Sequence, residues 1–501
     1  MSDWAVAERA WGSHEPEPRA FELGPWTWEL RGDEIADIRF DGALVLRMIR
    51  MVARDRDWNT VPTVVTAIRA EGQVVEIDLH MAGLGADITA TITIEAIETL
   101  QFTVAGISHT SFERNRLGFV VLHPPGVAGA RLVVVSPDGS RLETNFPVDV
   151  SPHQPAFDIA AVEWTADSVS STLVFEGDVF EMEDQRNWTD ASFKTYSTPL
   201  SLPFPVTLAA GHRFRQVLEL SSRRVAPAQC SARGPIRLEP AGQVPDVTVG
   251  AATAGGTAPQ FARPASAVLV EIETEQSVWP DALARAARSG LPLDLRIVTS
   301  EPDRIDDVLD AAAGMLIVRI SVFSADTHVT EPELWSRLRT SADARGLDSE
   351  LVAGTRAHFT ELNRTSDRLP SDADAVTFSI TPQMHARERA QLVESIAMQA
   401  AIAHAAAAIA GDRPLHVGPV TLRPRFNAVS TTPRADTPAT LADGYGPALD
   451  PAATDERQSS VALAAWTVAS FAALASAGVA SISYFEEWGP RGLVDVDGRP
   501  Y

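Results

Sequence analysis

The feature that most restricts the fold is a change of pattern at about Ala267, where strand-length apolar runs begin to alternate with helical segments. The runs begin with VLVEIE and end with ISYF. Such alternation is typical of a parallel sheet with helical crossovers, which closes into a (β/α)8 TIM-type barrel. Seven strands can be counted before the chain ends at Tyr501, so the barrel is predicted to lack its last strand.

The segment before this change has a different pattern. About ten short, β-branched runs are separated by Gly, Asp and Pro, and almost no helical periodicity interrupts them, which predicts a large antiparallel β-sandwich. The predicted fold is therefore multidomain, β followed by α/β. The predicted divisions are an N-terminal tail at 1–20, the β-sandwich at 21–222, a Pro-, Gly- and Ala-rich linker with room for one strand at 223–265, and the barrel at 266–501.

Charge and cysteine content narrow the class of protein. The formal net charge of -24 argues against nucleic acid or an anionic membrane as a partner, because both select basic surfaces. The single cysteine, Cys230, excludes an intrachain disulfide and a cysteine-built zinc site. The N-terminus has no basic region followed by an apolar one, so the protein is expected in the cytoplasm.

One uncharged stretch, 461–485, is long enough to cross a bilayer. It consists mostly of Ala and Ser, and Gly478 and the β-rich SISYF interrupt it. A buried helix at about 461–477 followed by a strand at about 480–485 is therefore predicted.

Two strands run directly into acidic residues. The stretch 350–364, ELVAGTRAHFTELNR, places Glu361 just after the fourth predicted strand, and 481–492, SISYFEEWGPRG, places Glu486 at the seventh. The carboxyl ends of barrel strands carry the chemistry, so these two carboxylates are predicted to act as an acid/base or an acid/nucleophile pair. The alternative is that each is a salt-bridged structural residue.

Polar residues near the same predicted strand ends are the candidate substrate-binding groups. His385 is a candidate acid/base group, metal ligand or helix cap, and Arg425 suits a carboxylate or sugar hydroxyls. No His-x-His or His-Glu-x-x-His spacing, Walker A motif, dinucleotide fingerprint or G-x-S-x-G elbow occurs, so neither a metal nor a cofactor is predicted. The predicted substrate-binding residues are Asn363, Arg364, Gln383, His385, Arg425, Asn427 and Tyr484.

A run of acidic, basic and aromatic residues stands out in the first half, FEGDVFEMEDQRNWTDASFKTY at 175–196. One interpretation is a salt-bridged loop that docks onto the barrel. The other is a loop that contributes to the substrate pocket.

Several of these motifs together resemble the D-apionate lactonase family of bacterial apiose catabolism. They are, in chain order, GDVFEMEDQRNWTDASFKTY, VAGTRAHFTELNR, ITPQMHA, VGPVTLRPRFN, DERQSS and SYFEEWGPRG. The resemblance covers about 100–492. It implies a galactose-mutarotase-like β-sandwich, then a TIM-type barrel, and a further C-terminal β-domain that this chain lacks.

The resemblance also implies a reaction, the hydrolysis of the branched-sugar lactone D-apionolactone to D-apionate. The barrel is similar to glycosidases that place an acid/base Glu and a nucleophile Glu at strand ends, which match Glu361 and Glu486, although Glu487 follows directly. Two alternatives stay open, a glycoside hydrolase that uses the same pair and a truncated, non-catalytic relative. Aromatic platforms for a glycosidase would be Trp279, Trp335, Tyr484 and Trp488.

Overall fold

The computed structural model describes residues 3–226, 244–261, 265–430 and 440–501. Cys230 and much of the predicted linker lie outside these ranges. The first half of the chain forms strands β1 (Arg19–Leu23), β2 (Trp26–Arg31), β3 (Glu34–Phe40), β4 (Ala43–Asp55), β5 (Thr63–Glu71), β6 (Val74–Gly83), β7 (Ala86–Ala96), β8 (Leu100–Ser108), β9 (Phe112–Leu122), β10 (Arg131–Val135), β11 (Arg141–Asn145), β12 (Ala156–Ile159), β13 (Ala161–Ala166), β14 (Val169–Glu176), β15 (Phe180–Asp184), β16 (Phe193–Tyr196), β17 (Val206–Leu208) and β18 (Arg213–Arg224).

These strands form two antiparallel sheets, which confirms the predicted sandwich. One sheet has the order β1-β2-β3-β4-β9-β16-β15-β12, with β17 also paired to β9, and the other has the order β11-β10-β13-β14-β18-β8-β7-β6-β5. Alternate residues of the strands are buried, as in β7, so that each sheet has one apolar face. The two apolar faces share one core, to which Phe119 of β9 and Phe102 of β8 both contribute.

The second half forms a closed parallel barrel. Its strands are β19 (Asp246–Gly250), β20 (Val268–Glu273), β21 (Leu293–Val298), β22 (Ile317–Phe323), β23 (Glu350–His358), β24 (Ala375–Ile380), β25 (Leu415–Val420) and β26 (Ser481–Trp488), and a short β27 (Gly492–Val494) follows. Each strand pairs with the next, and β19 pairs in parallel with β26 to close the ring.

The prediction that the barrel lacks its last strand is wrong, because the strand that was not counted is the first. The short strand β19, DVTVG, lies in the stretch taken as linker. The close approach of β19 to β26 uses Gly250, where a Cβ atom would lie 2.6 Å from the carbonyl oxygen of Phe485. The strands predicted as fourth and seventh, β23 and β26, are therefore the fifth and eighth of the barrel.

The helices alternate with these strands as predicted. They are α1 (Asp3–Trp11), α2 (Trp279–Ala287), α3 (Arg304–Ala311), α4 (Pro332–Arg345), α5 (Phe359–Arg364), α6 (Arg389–Ala410) and α7 (Val461–Ala475). The uncharged stretch 461–485 consists of α7 and most of β26, which confirms the helix followed by a strand. Within the described ranges, α6 is the one helix whose length and composition would allow a membrane span, and here it packs on α7 and on barrel strands.

The N-terminal segment differs from the expected polar tail, because α1 packs against α7 of the barrel. Trp11 belongs to the apolar cluster between the barrel strands and α6 and α7. Trp4 lies under the guanidinium of Arg389, with 4.1 Å from the ring centroid to the guanidinium carbon. The two tryptophans give this helix an apolar side. Because charged residues surround them in the sequence, the segment was predicted to be a polar tail.

Candidate active site at the mouth of the barrel

A cavity opens among residues near the carboxyl ends of the barrel strands and the loops that follow them, with a volume of about 750 Å³ including its open mouth. This is the size and position at which barrels bind small molecules. Strands β20, β23 and β26 contribute charged side chains, and the wall includes the aromatic rings of Trp279, Phe426, Tyr445 and Phe485. The cavity is therefore the candidate active site.

Four charged residues, which we call the cavity cluster, line this cavity: Glu271, Glu273, Arg356 and Arg425. Arg356 donates to Glu273 at 2.7 Å, and its Nη2 lies 3.6 Å from Glu271. Arg425 donates to Glu271 and to the backbone oxygen of Arg356. The ring of Phe426 lies 4.3 Å from the guanidinium carbon of Arg356, which fixes that cation over an aromatic face.

Glu271, Arg356 and Arg425 of the cavity cluster are charged at neutral pH. Burial raises the pKa of the Glu271 carboxyl, but Arg425, Arg356 and Arg296 outweigh burial and hold that pKa below its ordinary value. Burial, with the like charges of Arg356 and Arg296, lowers the pKa of Arg425 to about 10, which still leaves it protonated. One carboxylate oxygen of Glu271, Oε1, is buried and has no hydrogen-bond partner in the described parts of the chain.

Glu486 also lines the cavity and is tightly held. Its carboxylate accepts from the backbone N–H of Thr253 at 2.9 Å, from the Thr253 hydroxyl at 2.9 Å and from Nε of Arg491 at 2.8 Å. Glu487 is buried but is not among the residues that line the cavity. Of the two neighbouring carboxylates, Glu486 is the one that faces the candidate site.

The backbone of β26 explains why Glu486 faces inward. Phe485 has a φ of 53°, a left-handed conformation that is uncommon for a bulky residue and that interrupts the strand alternation. Tyr484 therefore points outward, where its hydroxyl is 2.8 Å from that of Ser470 on α7, while Phe485 and Glu486 both line the cavity. Tyr484 is therefore not among the residues that line this cavity, and its contact with substrate stays a prediction.

Glu361 lies on the rim but outside the cavity lining. It is the third residue of α5, and its carboxylate accepts the backbone N–H of His358 at 2.8 Å, as in a capping box. Burial raises the pKa of Glu361 to about 7. The predicted pair is therefore not brought together in one cavity, and the catalytic role of Glu361 stays a prediction.

Three other predicted substrate-binding residues contact the sandwich instead of the cavity. Asn363 donates to the backbone oxygen of Val150 and to the side chain of Asn187, and Arg364 donates to the backbone oxygen of Pro152. Asn427 donates to the backbone oxygen of Asp57 at 2.8 Å. These polar side chains hold the two halves of the molecule together, a use that the barrel pattern alone does not reveal.

Gln383, from the loop after β24, and Arg425, from the loop after β25, have different positions. Gln383 donates to Asp455 and accepts from Arg457, both buried, and it does not line the cavity. Arg425 lies in the cavity, as expected for a substrate-binding residue. Its binding role stays a prediction.

His385 belongs to a second charged group, which we call the junction cluster, where the loop after β24 meets the sandwich. The cluster consists of Glu183, Asp190, Lys194 and His385. The imidazole Nδ1 of His385 is hydrogen-bonded to Asp190, and Lys194 is 2.6 Å from Glu183. The run at 175–196 thus docks onto the barrel, as the first of its two interpretations held.

Sequence reasoning missed Arg356 and Glu271 as site residues. Arg356 lies inside the apolar run of β23, where an inward-facing charge gives no strand-end signal. Glu271 and Glu273 are two residues apart in VLVEIE, a spacing that puts both on one face of a strand and could have identified them. In the described residues, no group of three or more His, Cys, Asp or Glu side chains is arranged to hold a metal ion.

Comparison with known families matches both halves of the chain. The family model for "D-apionate lactonase, N-terminal domain" matches residues 6–225, and the model for "D-apionate lactonase, TIM barrel domain" matches residues 251–501. A D-apionate lactonase from Brucella anthropi is 28% identical over an alignment that covers 97% of this chain and 85% of the relative.

Solved structures resemble the first half more remotely. A putative aldose 1-epimerase from Escherichia coli K12 aligns with 42% of this chain and 99% of its own, at 9% identity and a TM-score of 0.30. Galactose 1-epimerase from Lactobacillus acidophilus aligns with 41% of this chain and 94% of its own, at 8% identity and a TM-score of 0.26.

Proposed function

Because this chain belongs to the D-apionate lactonase family, we propose that it hydrolyses a branched-sugar lactone, D-apionolactone, to D-apionate in carbohydrate catabolism. The observation that supports this reaction is the cavity cluster, in which Arg356 and Arg425 lie among carboxylates at the mouth of the barrel. The cluster offers positive charge to a lactone carbonyl and acceptors to sugar hydroxyls within one small cavity.

The two arginines suit the charge that forms during hydrolysis. Addition of water to a lactone carbonyl gives an oxyanion, and fixed cations or N–H donors at that position stabilise it in a site of low dielectric. Arg356 and Arg425 are already fixed by their carboxylate partners and by Phe426, so little reorganisation is needed. The same guanidinium groups then suit the carboxylate of the product.

The cavity carboxylates suit recognition of hydroxyl groups better than proton abstraction. Oε1 of Glu271 has no hydrogen-bond partner among the residues that the structure describes, and the lowered pKa of this carboxyl makes it a good acceptor but a weak base. Glu486 is held by Thr253 and Arg491 in one orientation. We therefore assign both residues to binding, with Glu486 aligning the ring of the lactone.

The test is a pH-indicator assay of the purified protein with D-apionolactone and common aldonolactones. Release of acid from D-apionolactone well above the spontaneous rate, with slower release from unbranched lactones, is the expected result. A folded protein that accelerates none of these hydrolyses would refute the proposed reaction.

The same assay should include aryl glycosides, because a glycoside hydrolase is the alternative for a barrel with paired carboxylates. The structure offers little support for it, since Trp279 lines the cavity but Trp335, Tyr484 and Trp488 do not. We expect no release of nitrophenol. Release at a rate comparable to lactone opening would favour the glycosidase.

A further inference from the structure

A second, smaller cavity, which we call the side pocket, adjoins the cavity of the candidate active site. It lies among the loops after β25 and β26 and the segment that leads into α7, and its volume is about 200 Å³ including its open mouth. Three residues line both cavities, namely Thr421, Phe485 and Arg491. A ligand bound in the main cavity beside these residues therefore has the side pocket next to it.

We propose that the side pocket holds the hydroxymethyl branch of the lactone, while the ring occupies the main cavity. This inference rests on the proposed lactone hydrolysis and adds the residues that select a branched substrate over an unbranched one. The branch is one methylene carbon with one hydroxyl group. A matching pocket therefore needs room for two heavy atoms, an apolar wall for the carbon and a hydrogen-bonding group for the hydroxyl.

The size of the side pocket suits a substituent and not a whole sugar. Pockets that enclose a complete small ligand have volumes of about 300 to 1,000 Å³, a range that includes the main cavity and excludes the side pocket. One water molecule takes up about 30 Å³ of the liquid, so a group of two heavy atoms needs about 60 Å³. The side pocket has room for the branch but not for a second ring.

The wall of the side pocket offers apolar contacts to the methylene carbon. Leu422 and Ala453 line the side pocket alone, and each is only 2% exposed. Phe485 lines both cavities, because its left-handed backbone interrupts the alternation of β26. Burial of a methylene group against such side chains is favourable, which an unbranched lactone cannot exploit.

Each of the two arginines that line the side pocket has an N–H donor without a partner. Nη2 of Arg491 and Nη1 of Arg423 are buried and have no hydrogen-bond partner among the residues that the structure describes. The side chain of Arg491 as a whole is only 6% exposed. Since an unsatisfied buried donor costs free energy, a ligand hydroxyl oxygen that accepts from it is bound favourably.

Both guanidinium groups are held in place by the protein. Nε of Arg423 donates to Asp455 at 2.8 Å. Arg491 donates from Nε to Glu486 at 2.8 Å and from Nη1 to the backbone oxygen of Ala453. Donors that are fixed in this way lose little conformational freedom when a ligand binds. Because Glu486 lines the main cavity, Arg491 also connects the group that aligns the ring with the pocket for the branch.

The branch takes no part in bond breaking, so its contacts act through the position of the ring. Binding energy from a non-reacting part of a substrate can be used to hold the reacting part in place, which raises kcat/KM. A site that hydrogen-bonds a substrate hydroxyl also rejects an analogue without it, because the buried donors of the site are then left unpaired. The side pocket is therefore a determinant of specificity.

The first experiment compares D-apionolactone with erythronolactone and threonolactone, which carry hydrogen in place of the hydroxymethyl branch. We expect kcat/KM for D-apionolactone to exceed both other values by about 100-fold or more, since the unbranched lactones leave the buried donors unpaired. Equal kcat/KM values for the three lactones would overturn the role of the side pocket and leave the proposed hydrolysis intact.

The second experiment fills the side pocket with Ala453→Leu. The selectivity ratio is kcat/KM for D-apionolactone divided by kcat/KM for erythronolactone. We expect this ratio to fall about tenfold or more, because the larger side chain occupies the space of the branch. Overpacking can also destabilise a fold, so a thermal melt accompanies the kinetics, and a variant that removes a donor gives an independent test.

That variant is Arg423→Met, which leaves Asp455 paired with Arg457 at 2.8 Å. Loss of a hydrogen bond from a charged donor is worth about tenfold or more, and we expect the selectivity ratio to fall by that factor. The matched control is Arg457→Met, which removes the other arginine partner of Asp455 and lines neither cavity. It should leave the selectivity ratio within about threefold of the wild-type value.

The outcomes separate this inference from the function on which it rests. A wild-type selectivity ratio in both Ala453→Leu and Arg423→Met would overturn the side pocket and leave the lactonase intact. An equal fall in Arg423→Met and Arg457→Met would also overturn it, because the effect would then come from Asp455 and not from a donor in the pocket. A folded protein inactive on every lactone would overturn the proposed function and this inference together.

Discussion

The cavity cluster and the junction cluster occupy the same rim but hold their protons differently. In the cavity cluster the cations are both arginines, which stay protonated at any relevant pH, so the adjacent carboxylates stay ionised. The junction cluster pairs a buried imidazole with a buried carboxyl, and burial moves both toward their neutral forms. The comparison teaches that groups held ionised by ion pairing and groups held neutral by burial lie in separate clusters along one rim.

The two clusters also differ in their origin. The cavity cluster is built by the barrel alone, from strands β20 and β23 and the loop after β25. The junction cluster needs the sandwich, which contributes Glu183, Asp190 and Lys194. Changes in the cavity cluster should therefore alter substrate binding and oxyanion stabilisation, whereas changes in the junction cluster should alter the attachment of the two halves.

The largest effect on this comparison is expected from Glu271→Gln combined with Arg425→Met. The double change removes one carboxylate and one cation together, so no buried charge is left unpaired. Loss of an oxyanion-stabilising donor is worth about 100- to 1,000-fold, and we expect kcat/KM for D-apionolactone to fall by that factor. Steady-state kinetics and a thermal melt measure the effect.

The matched control for the cavity variant is Asp294→Asn combined with Arg319→Met. These residues form another buried ion pair of the barrel, at 3.0 Å, that does not line the cavity. It should lower kcat/KM by less than about threefold, within the scatter of non-additive effects. Equal losses in the two double variants would remove the special role of the cavity cluster.

The next effect concerns stability and comes from Lys194→Met. The side chains of Lys194 and Glu183 are only 13% and 12% exposed, so the variant leaves a largely buried carboxylate without its partner. We expect a loss of about 3 kcal/mol in the free energy of unfolding, measured by denaturant titration. Glu183→Gln with Lys194→Met should restore most of it; a double variant as unstable as the single one would show that no charge pairing is involved.

A smaller, pH-dependent effect is expected from Glu361→Gln. Because burial raises the pKa of Glu361 to about 7, the folded protein holds this proton more tightly than the unfolded chain, and the fold loses stability as the pH rises from the ordinary carboxyl pKa through about 7. Glutamine keeps the capping hydrogen bond and removes that penalty, so the variant should be more stable by about 2 to 3 kcal/mol at pH 8 and equal to wild type at pH 4.

The kinetics of the same variant test the predicted acid/base role. Since Glu361 lies outside the cavity lining, we expect kcat to change less than about threefold. A 100-fold loss of kcat would support Glu361 as a proton-transfer group.

The regular parts of this molecule could be predicted because each rests on a repeating pattern. Period-two runs predict the sandwich, and alternation of strands and helices predicts the barrel. The strand β19 could not be counted, because it has only five residues and Gly- and Ala-rich neighbours. Because β19 was not counted, each later strand was numbered one too low and the barrel was predicted to lack a strand.

The site was only partly predictable, because it depends on local geometry and on contacts between the halves. A single left-handed residue, Phe485, decides that Glu486 faces the cavity and Tyr484 does not. Asn363 and Arg364 follow a strand end, which made them candidates, but their hydrogen bonds go to the sandwich. The sequence pattern of one strand does not show whether another domain covers the residues at its end.

The smallest effect is expected from Glu486→Gln, and it sharpens the distinction between binding and proton transfer. If Glu486 aligns the lactone through hydroxyl contacts, it serves the ground state and the transition state alike, so KM should rise while kcat stays nearly constant. We expect about a tenfold rise in KM, equivalent to about 1.4 kcal/mol. Glu487→Gln, next along the strand but outside the cavity lining, is the control and should leave KM unchanged. A loss confined to kcat in Glu486→Gln would instead identify Glu486 as a proton-transfer group. The assignment of Glu486 to substrate binding would then be wrong.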